Sequence, residues 1–219
     1  MTLIELKDLF RREVDDLDAP ALWSDEEIYK FANDAQNEAC RRARLLIDSS
    51  TAAICQITVA ASASTATLDA RIISVKRARI TGKNTPLDRA SWRDLDESYP
   101  GWESHTGTVS HFVSDWETGK LRLYRIPTVE TVLNLTVARL PLVDMTPTTS
   151  PEINVRYHRS LVFWMKYRGY MKQDAETLNL EKAKANLELF EQEFGRKSAA
   201  IDEEWIERQQ QTDVYDGTY

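Results

Sequence analysis

SDEEIYKFANDAQNEACRRARLLIDSSTAAICQITVA, residues 24–60, decides the fold class, because the spacing of its apolar residues changes within it. In the first half Ile28, Phe31, Ala35, Ala39, Ala43 and Leu46 or Ile47 recur at helical spacing and share one face. Ser24 and Glu27 form a capping box at its start, the hydroxyl serving a free backbone N–H and the carboxylate reaching back. The pattern predicts a helix over 24–47. From Thr51 onward the period shortens and β-branched residues take over, so a helical segment hands the chain to a sheet.

Toward the N-terminus, TLIE is a second capping box, and Leu3, Leu6, Phe10, Val14 and Leu17 continue from it at spacings of three and four until Pro20. This predicts a first helix over 2–17. Neither helix is held by its cap alone, at about 1 kcal/mol each, so the two stripes must pack, most economically as an αα-hairpin.

Toward the C-terminus, ICQITVA, RIISVKRARI, HFVSDW, KLRLYRI and VLNLTVARL are short strand-like runs between turn residues. They predict an antiparallel sheet of about five or six strands. Residues 115–120, DWETGK, read as a hairpin loop with Gly119 supplying positive φ, and AASASTAT (60–67) as a loose loop. A proline-broken connector, 141–151, leads to a third helix with Ser150 as cap and Pro151 in its first turn, carrying Ile153, Tyr157, Leu161, Trp164, Met165 and Tyr170. Asp174 caps a fourth with Leu180, Ala183, Leu187, Phe190 and Phe194, which stops at Gly195. The fold class is therefore α+β, partitioned as 1–50 helical hairpin, 51–150 β region, 151–208 C-terminal helices and 209–219 tail.

The tail, QQQTDVYDGTY, has no apolar periodicity. Val214, Tyr215 and Tyr219 are too few to offset about 1–2 kcal/mol of backbone entropy per ordered residue, so it is expected to order only on a partner. Trp205 and Ile206, on a short acidic helical pattern beyond Gly195, suit an interface, whereas Trp164 between Leu161 and Met165 suits the core.

The formal net charge of −7 argues against generic nucleic-acid binding. It is uneven: residues 151–173 carry 5 basic and 1 acidic group, residues 174–219 carry 5 and 12. Arg156, Arg159, Lys166 and Arg168 fall on no single stripe, which favours ordinary salt bridging. No apolar run approaches the roughly 18–20 residues needed to cross a bilayer, and the charged N-terminus does not read as a signal peptide, so the protein is expected to be cytosolic when made. Cys40 and Cys55 are expected as buried free thiols.

Reactive constellations are missing from the sequence. His105, His111 and His158 stand in no metal-ligand spacing, and Gly82–Lys83 lacks the phosphate-loop frame and reads as a turn. His111 and Asp115, four apart on a strand, with Ser110 or Ser114 nearby, lack a nucleophile elbow. An enzyme would need a site gathered from distant residues such as His111, Asp115 and Tyr157. Asp15, Asp16, Asp18, Asp94, Asp96 and Glu97 are expected as solvated surface charge. No catalytic, cofactor or metal residue is assigned.

FRREVDD (10–16), LWSDEEIYKFANDAQNEACRRARLL (22–46), ARLP (138–141) and PEINVRYHRSLVFWMKYRGYMKQDAETLNLEKAKANLELFEQEFG (151–195) carry a resemblance across nearly the whole chain. The sequence resembles the head-to-tail adaptor proteins of tailed bacteriophages, particularly the tail tubular protein A type of short-tailed phages. The resemblance implies a helical bundle built from both chain ends with an inserted β domain. It also implies a structural virion protein, not an enzyme, forming a twelve-fold ring under the portal, with a tail nozzle below and genomic DNA passing through the lumen without specific binding. The C-terminal segment of the family reaches the portal, which assigns portal docking to Trp205, Ile206, Val214, Tyr215 and Tyr219. Another neck or tail-completion protein, such as a stopper, is the alternative.

Overall fold

Two capping boxes start the first two helices in the computed structural model, which describes residues 1–197. Helix α1 spans Leu3–Val14 and α2 spans Asp25–Ala43, with Thr2 and Ser24 as caps. Both stop earlier than periodicity predicts. At α1 the stop is Asp15, in the left-handed region at φ 60°. Asp16 then turns inward and is buried, contrary to its expected place in solvent. Its carboxylate accepts from Arg11 Nη1 and from the Leu22 backbone N–H at 2.8 Å, an arrangement that leaves Leu17 outside. At α2 the stop is Arg44, also left-handed at φ 49°, and Leu46–Asp48 continues as a short strand, β1.

The chain divides into two compact units, one of residues 1–46 with the described residues from 141 on, the other of residues 47–140. In the first, α1 and α2 pack with α5 (Leu161–Tyr170) and α6 (Leu180–Phe194). Trp23 is the plug: it lies edge-on to Phe10 at 5.4 Å and to Tyr170 at 6.3 Å, and its Nε1 donates to the Gly169 carbonyl at 3.2 Å. Gly169 permits this closeness, since a Cβ there would stand 3.1 Å from Phe10 Cζ.

The buried face of α2 is Ile28, Ala32, Ala35, Gln36, Ala39 and Cys40, rotated from the predicted stripe, with Phe31 half-buried and Ala43 and Ile47 exposed. Its polar members explain the rotation. Gln36 Oε1 accepts from the Glu152 N–H at 2.6 Å and Asn33 Oδ1 from the Met145 N–H at 2.7 Å, so α2 holds the 141–151 connector as well as α5.

The third helix begins later than Ser150. A 3-10 turn at Val155–Tyr157, capped by Asn154, comes first, and α5 starts only at Leu161. His158 is buried and donates from Nε2 to the Ile153 carbonyl at 2.9 Å. Asp174 anchors a turn instead of capping a helix; the cap of α6 is Asn179, which accepts from the Lys182 N–H at 2.9 Å. Trp164 is half-buried, not core, and Gly195 ends α6.

The second unit is a curled sheet built from β2 (Gln56–Val59), β3 (Thr65–Thr67), β4 (Ile72–Ile80), β5 (Pro86–Arg89), β6 (His111–Glu117), β7 (Lys120–Tyr124) and β8 (Thr131–Arg139). With β1 the sheet has eight strands in the order β1-β8-β4-β5-β6-β7-β3, and β2 also pairs with β8. Three expectations are corrected here. Residues 65–67 of the supposed loop pair with β7, Ala52–Cys55 is a short helix (α3), and β5 runs parallel to β6. The parallel pair follows from the crossover between them, which contains α4 (Trp92–Ser98) and a 3-10 turn at Trp102–Ser104. The β6–β7 hairpin is tighter than predicted, because Glu117 and Lys120 pair directly and only Thr118 and Gly119 (φ 72°) turn.

Packed on the sheet, α4 and the 3-10 turn bury Leu95 and Trp102 against Val113 and Tyr124. Cys40 and Cys55 are buried thiols, neither of them in a disulfide. The helical pattern of 197–208 and the 209–219 tail lie outside the described residues, apart from residue 197 itself.

Candidate functional site

Trp205, Ile206, Val214, Tyr215 and Tyr219 lie outside the described residues, and what the structure supplies is the root from which their segment leaves. The root is built around Arg42, near the end of α2, whose side chain is 3% exposed. Its guanidinium lies 5.3 Å from the ring centres of both Trp164 and Phe190. Nε donates to Glu38 at 2.7 Å, and Nη1 reaches Glu191 at 3.4 Å and the Gly195 carbonyl at 3.2 Å. Three helices thus hold the backbone at Gly195 in place. Burial pushes the Glu38 carboxyl up, and hydrogen bonds from Arg41 and Arg42 pull it further down, below the usual carboxylate range.

Lysine cannot reproduce this arrangement, since it has neither a planar face to stack nor a fork to divide between partners. Replacing Arg42 by Lys is expected to cost the helical unit about 1–2 kcal/mol, read by urea unfolding. The sequence carried one local sign of this residue, the Glu38 to Arg42 spacing of four.

The residues considered for chemistry are committed elsewhere. Ser110 Oγ donates to the Tyr124 carbonyl at 3.3 Å and meets His111 Nδ1 at 2.9 Å, and the His111 ring packs 5.5 Å from that of Tyr124. Ser114 Oγ accepts from Arg89 at 2.8 Å. Asp115 shares β6 with His111, whereas Tyr157 belongs to the other unit, where the Arg156 guanidinium covers its ring at 4.5 Å. Asp96 accepts from Trp102 Nε1 at 2.8 Å and Asp94 completes the cap of α4. Among the described residues, no group of three or more His, Cys, Asp or Glu side chains could hold a metal ion, and no helix is long and apolar enough to cross a membrane.

The cations of 151–173 mostly pair, as expected: Lys166 with Glu13 at 2.9 Å, Arg168 with Asp34 at 3.1 Å and Lys172 with Glu27 at 2.9 Å. A protein-family model described as SU10 adaptor protein matches residues 1–216. The chain belongs to the SU10 adaptor protein family. No curated protein matches it. As an SU10 adaptor protein it has a structural role in the phage virion, among the portal and tail proteins that such an adaptor joins. The match takes in both units of the SU10 adaptor, the residues of the Arg42 root, and nearly all of the segment beyond it.

Proposed function

We propose that this SU10 adaptor is the subunit of a ring, dodecameric in keeping with the adaptors it resembles, which joins the portal to the tail of the virion. In this reading residues 1–50 and 151–208 form one helical bundle, 51–150 an inserted β domain, and 209–219 a docking tail. Trp205, Ile206, Val214, Tyr215 and Tyr219 contact the portal, a tail nozzle binds the opposite face, and DNA passes through the lumen without specific contacts. The observation that carries the reading is the family match over 1–216, taken with the Arg42 root that fixes the start of the C-terminal segment. Docking by short, weakly apolar tails gains its strength from repetition around the ring.

Deleting residues 209–219 tests it. The melting temperature is expected to stay unchanged while affinity for the portal falls, measured by calorimetry and by co-sedimentation. Undiminished portal binding would refute the docking role. Substituting Trp205 by Ala is expected to weaken portal binding by about 2 kcal/mol or more, roughly thirtyfold.

A further inference from the structure

We infer that one end of the helical unit docks onto the β unit of a second copy of the chain, an acidic apolar surface meeting a basic apolar one. This rests on the ring reading above and names the two surfaces that would close it.

The α1–α2 loop and the α5–α6 connection share one end of the helical unit. Lys172 Nζ lies 2.9 Å from the Glu27 carboxylate and 3.5 Å from the Leu22 carbonyl, and Trp23 binds Gly169. Leucines that a core would claim are outside here: Leu17 is 67% exposed and Leu180 62%, and Leu22, Met171 and Leu178 are exposed as well. Met171, Leu178 and Leu180 line an open groove with Gln173, Asp174 and Ala175. On the same end Asp15, Asp18 and Glu26 are exposed and make no ion pair among the described residues. Clustered exposed apolar side chains with a charged rim have the composition of a protein interface.

The β unit offers the opposite sign. Most of its cations are occupied, Arg71 by Asp69, Lys120 by Glu117, Arg139 by Asp48 and Arg122 by the Glu103 carbonyl. Arg77 and Arg79 on β4, and Lys83 just beyond it, are exposed and make no ion pair or side-chain hydrogen bond among the described residues. Lys83 also lines a cleft with Ile80, Pro127, Glu130, Val132 and Val129, the last 68% exposed.

Charge complementarity selects the occupant. Three cations without an ion pair among the described residues are few for a nucleic-acid duplex on a chain of net charge −7, but they are opposite in sign to the exposed Asp15, Asp18 and Glu26 present on every copy. Because the two surfaces differ, the contact is heterologous and repeats from subunit to subunit until the rotation closes. Paired signs fix its register and suppress alternatives, while the leucines supply the buried area.

The test uses the full chain in two charge-reversed forms, R77E/R79E/K83E and D15K/D18K/E26K, studied by sedimentation velocity at low and high salt. Wild type is expected to assemble, more strongly at low salt. Each variant alone should keep the wild-type melting temperature and assemble at least tenfold more weakly, and an equimolar mixture of the two should recover assembly. Arg79→Glu and Leu17→Ser probe the same two surfaces with less perturbation. Variants that assemble like wild type would overturn the surfaces while leaving the ring standing. Wild type that stays monomeric with and without portal would remove the ring reading and this inference together. Loss of duplex-DNA retention by the β4 variant with assembly unchanged would make the stripe a nucleic-acid contact. A lower melting temperature with assembly unchanged would make it a contact within one chain.

Discussion

Replacing Asp48 by Ala is expected to destabilise the β unit by about 3–5 kcal/mol, because it takes the carboxylate away from a buried arginine. Asp48 Oδ2 accepts from Arg139 Nε at 2.7 Å and from the Thr51 hydroxyl at 2.7 Å; Oδ1 accepts from the backbone N–H of Ser50 at 2.9 Å and of Thr51 at 3.1 Å. Both partners are buried, and they sit where the chain enters and leaves the unit, so one ion pair clasps its two ends. Asp48→Asn, which keeps some acceptor capacity, should cost less. Urea unfolding of the full chain should resolve the loss as a separate early transition.

The same carboxylate sets an acid limit. Burial pushes the Asp48 carboxyl up, but the hydrogen bonds from Thr51, Ser50 and Arg139 outweigh it and hold the group far below the usual carboxylate range. Its folded pKa is therefore depressed relative to an unfolded value of about 3.9. The contribution is complete above about pH 4 and declines as pH falls below that. Wild-type stability should drop steeply in that range, and Asp48→Asn should flatten the slope. An unchanged slope would remove Asp48 as its source.

Replacing Trp23 by Ala is expected to cost the helical unit about 3–5 kcal/mol. The side chain is fully enclosed by Phe10, Tyr170 and Gly169, so its removal empties space that those rigid rings cannot fill, and it leaves the Gly169 carbonyl without the indole donor. Trp23→Phe should recover part of the packing but not the hydrogen bond. Thermal unfolding checks both, and a loss below about 1 kcal/mol for the alanine variant would mean that the site collapses around the gap.

Much of the element inventory was legible. Thr2 with Glu5 and Ser24 with Glu27 announced two helix starts, and Gly195 announced the end of α6. The β segments were legible where apolar residues alternate, as in Leu133, Leu135 and Val137. β5 was not, because it opens on Pro86 and is only four residues long, and β3 was not, because Thr65 to Thr67 gains its strand character from pairing with β7. Of the docking apparatus, the composition of the tail was readable, but its root at Arg42 was not, since an arginine four residues after a glutamate reads equally well as a solvated pair.

The sequence alone determined what depends on neighbours within about four residues: caps, apolar period and turns, and with them the mixed α+β class and the adaptor family. Tertiary structure decided what depends on partners far along the chain. Asp48 meets Arg139 across 91 positions and Arg42 meets Glu191 across 149, and the rotation of α2 is set by Asn33 and Gln36 holding a connector more than 100 residues away. Charges and amides look identical in sequence whether they face water or one another. Only the folded chain, by removing water from around them, makes a particular partner worth several kcal/mol.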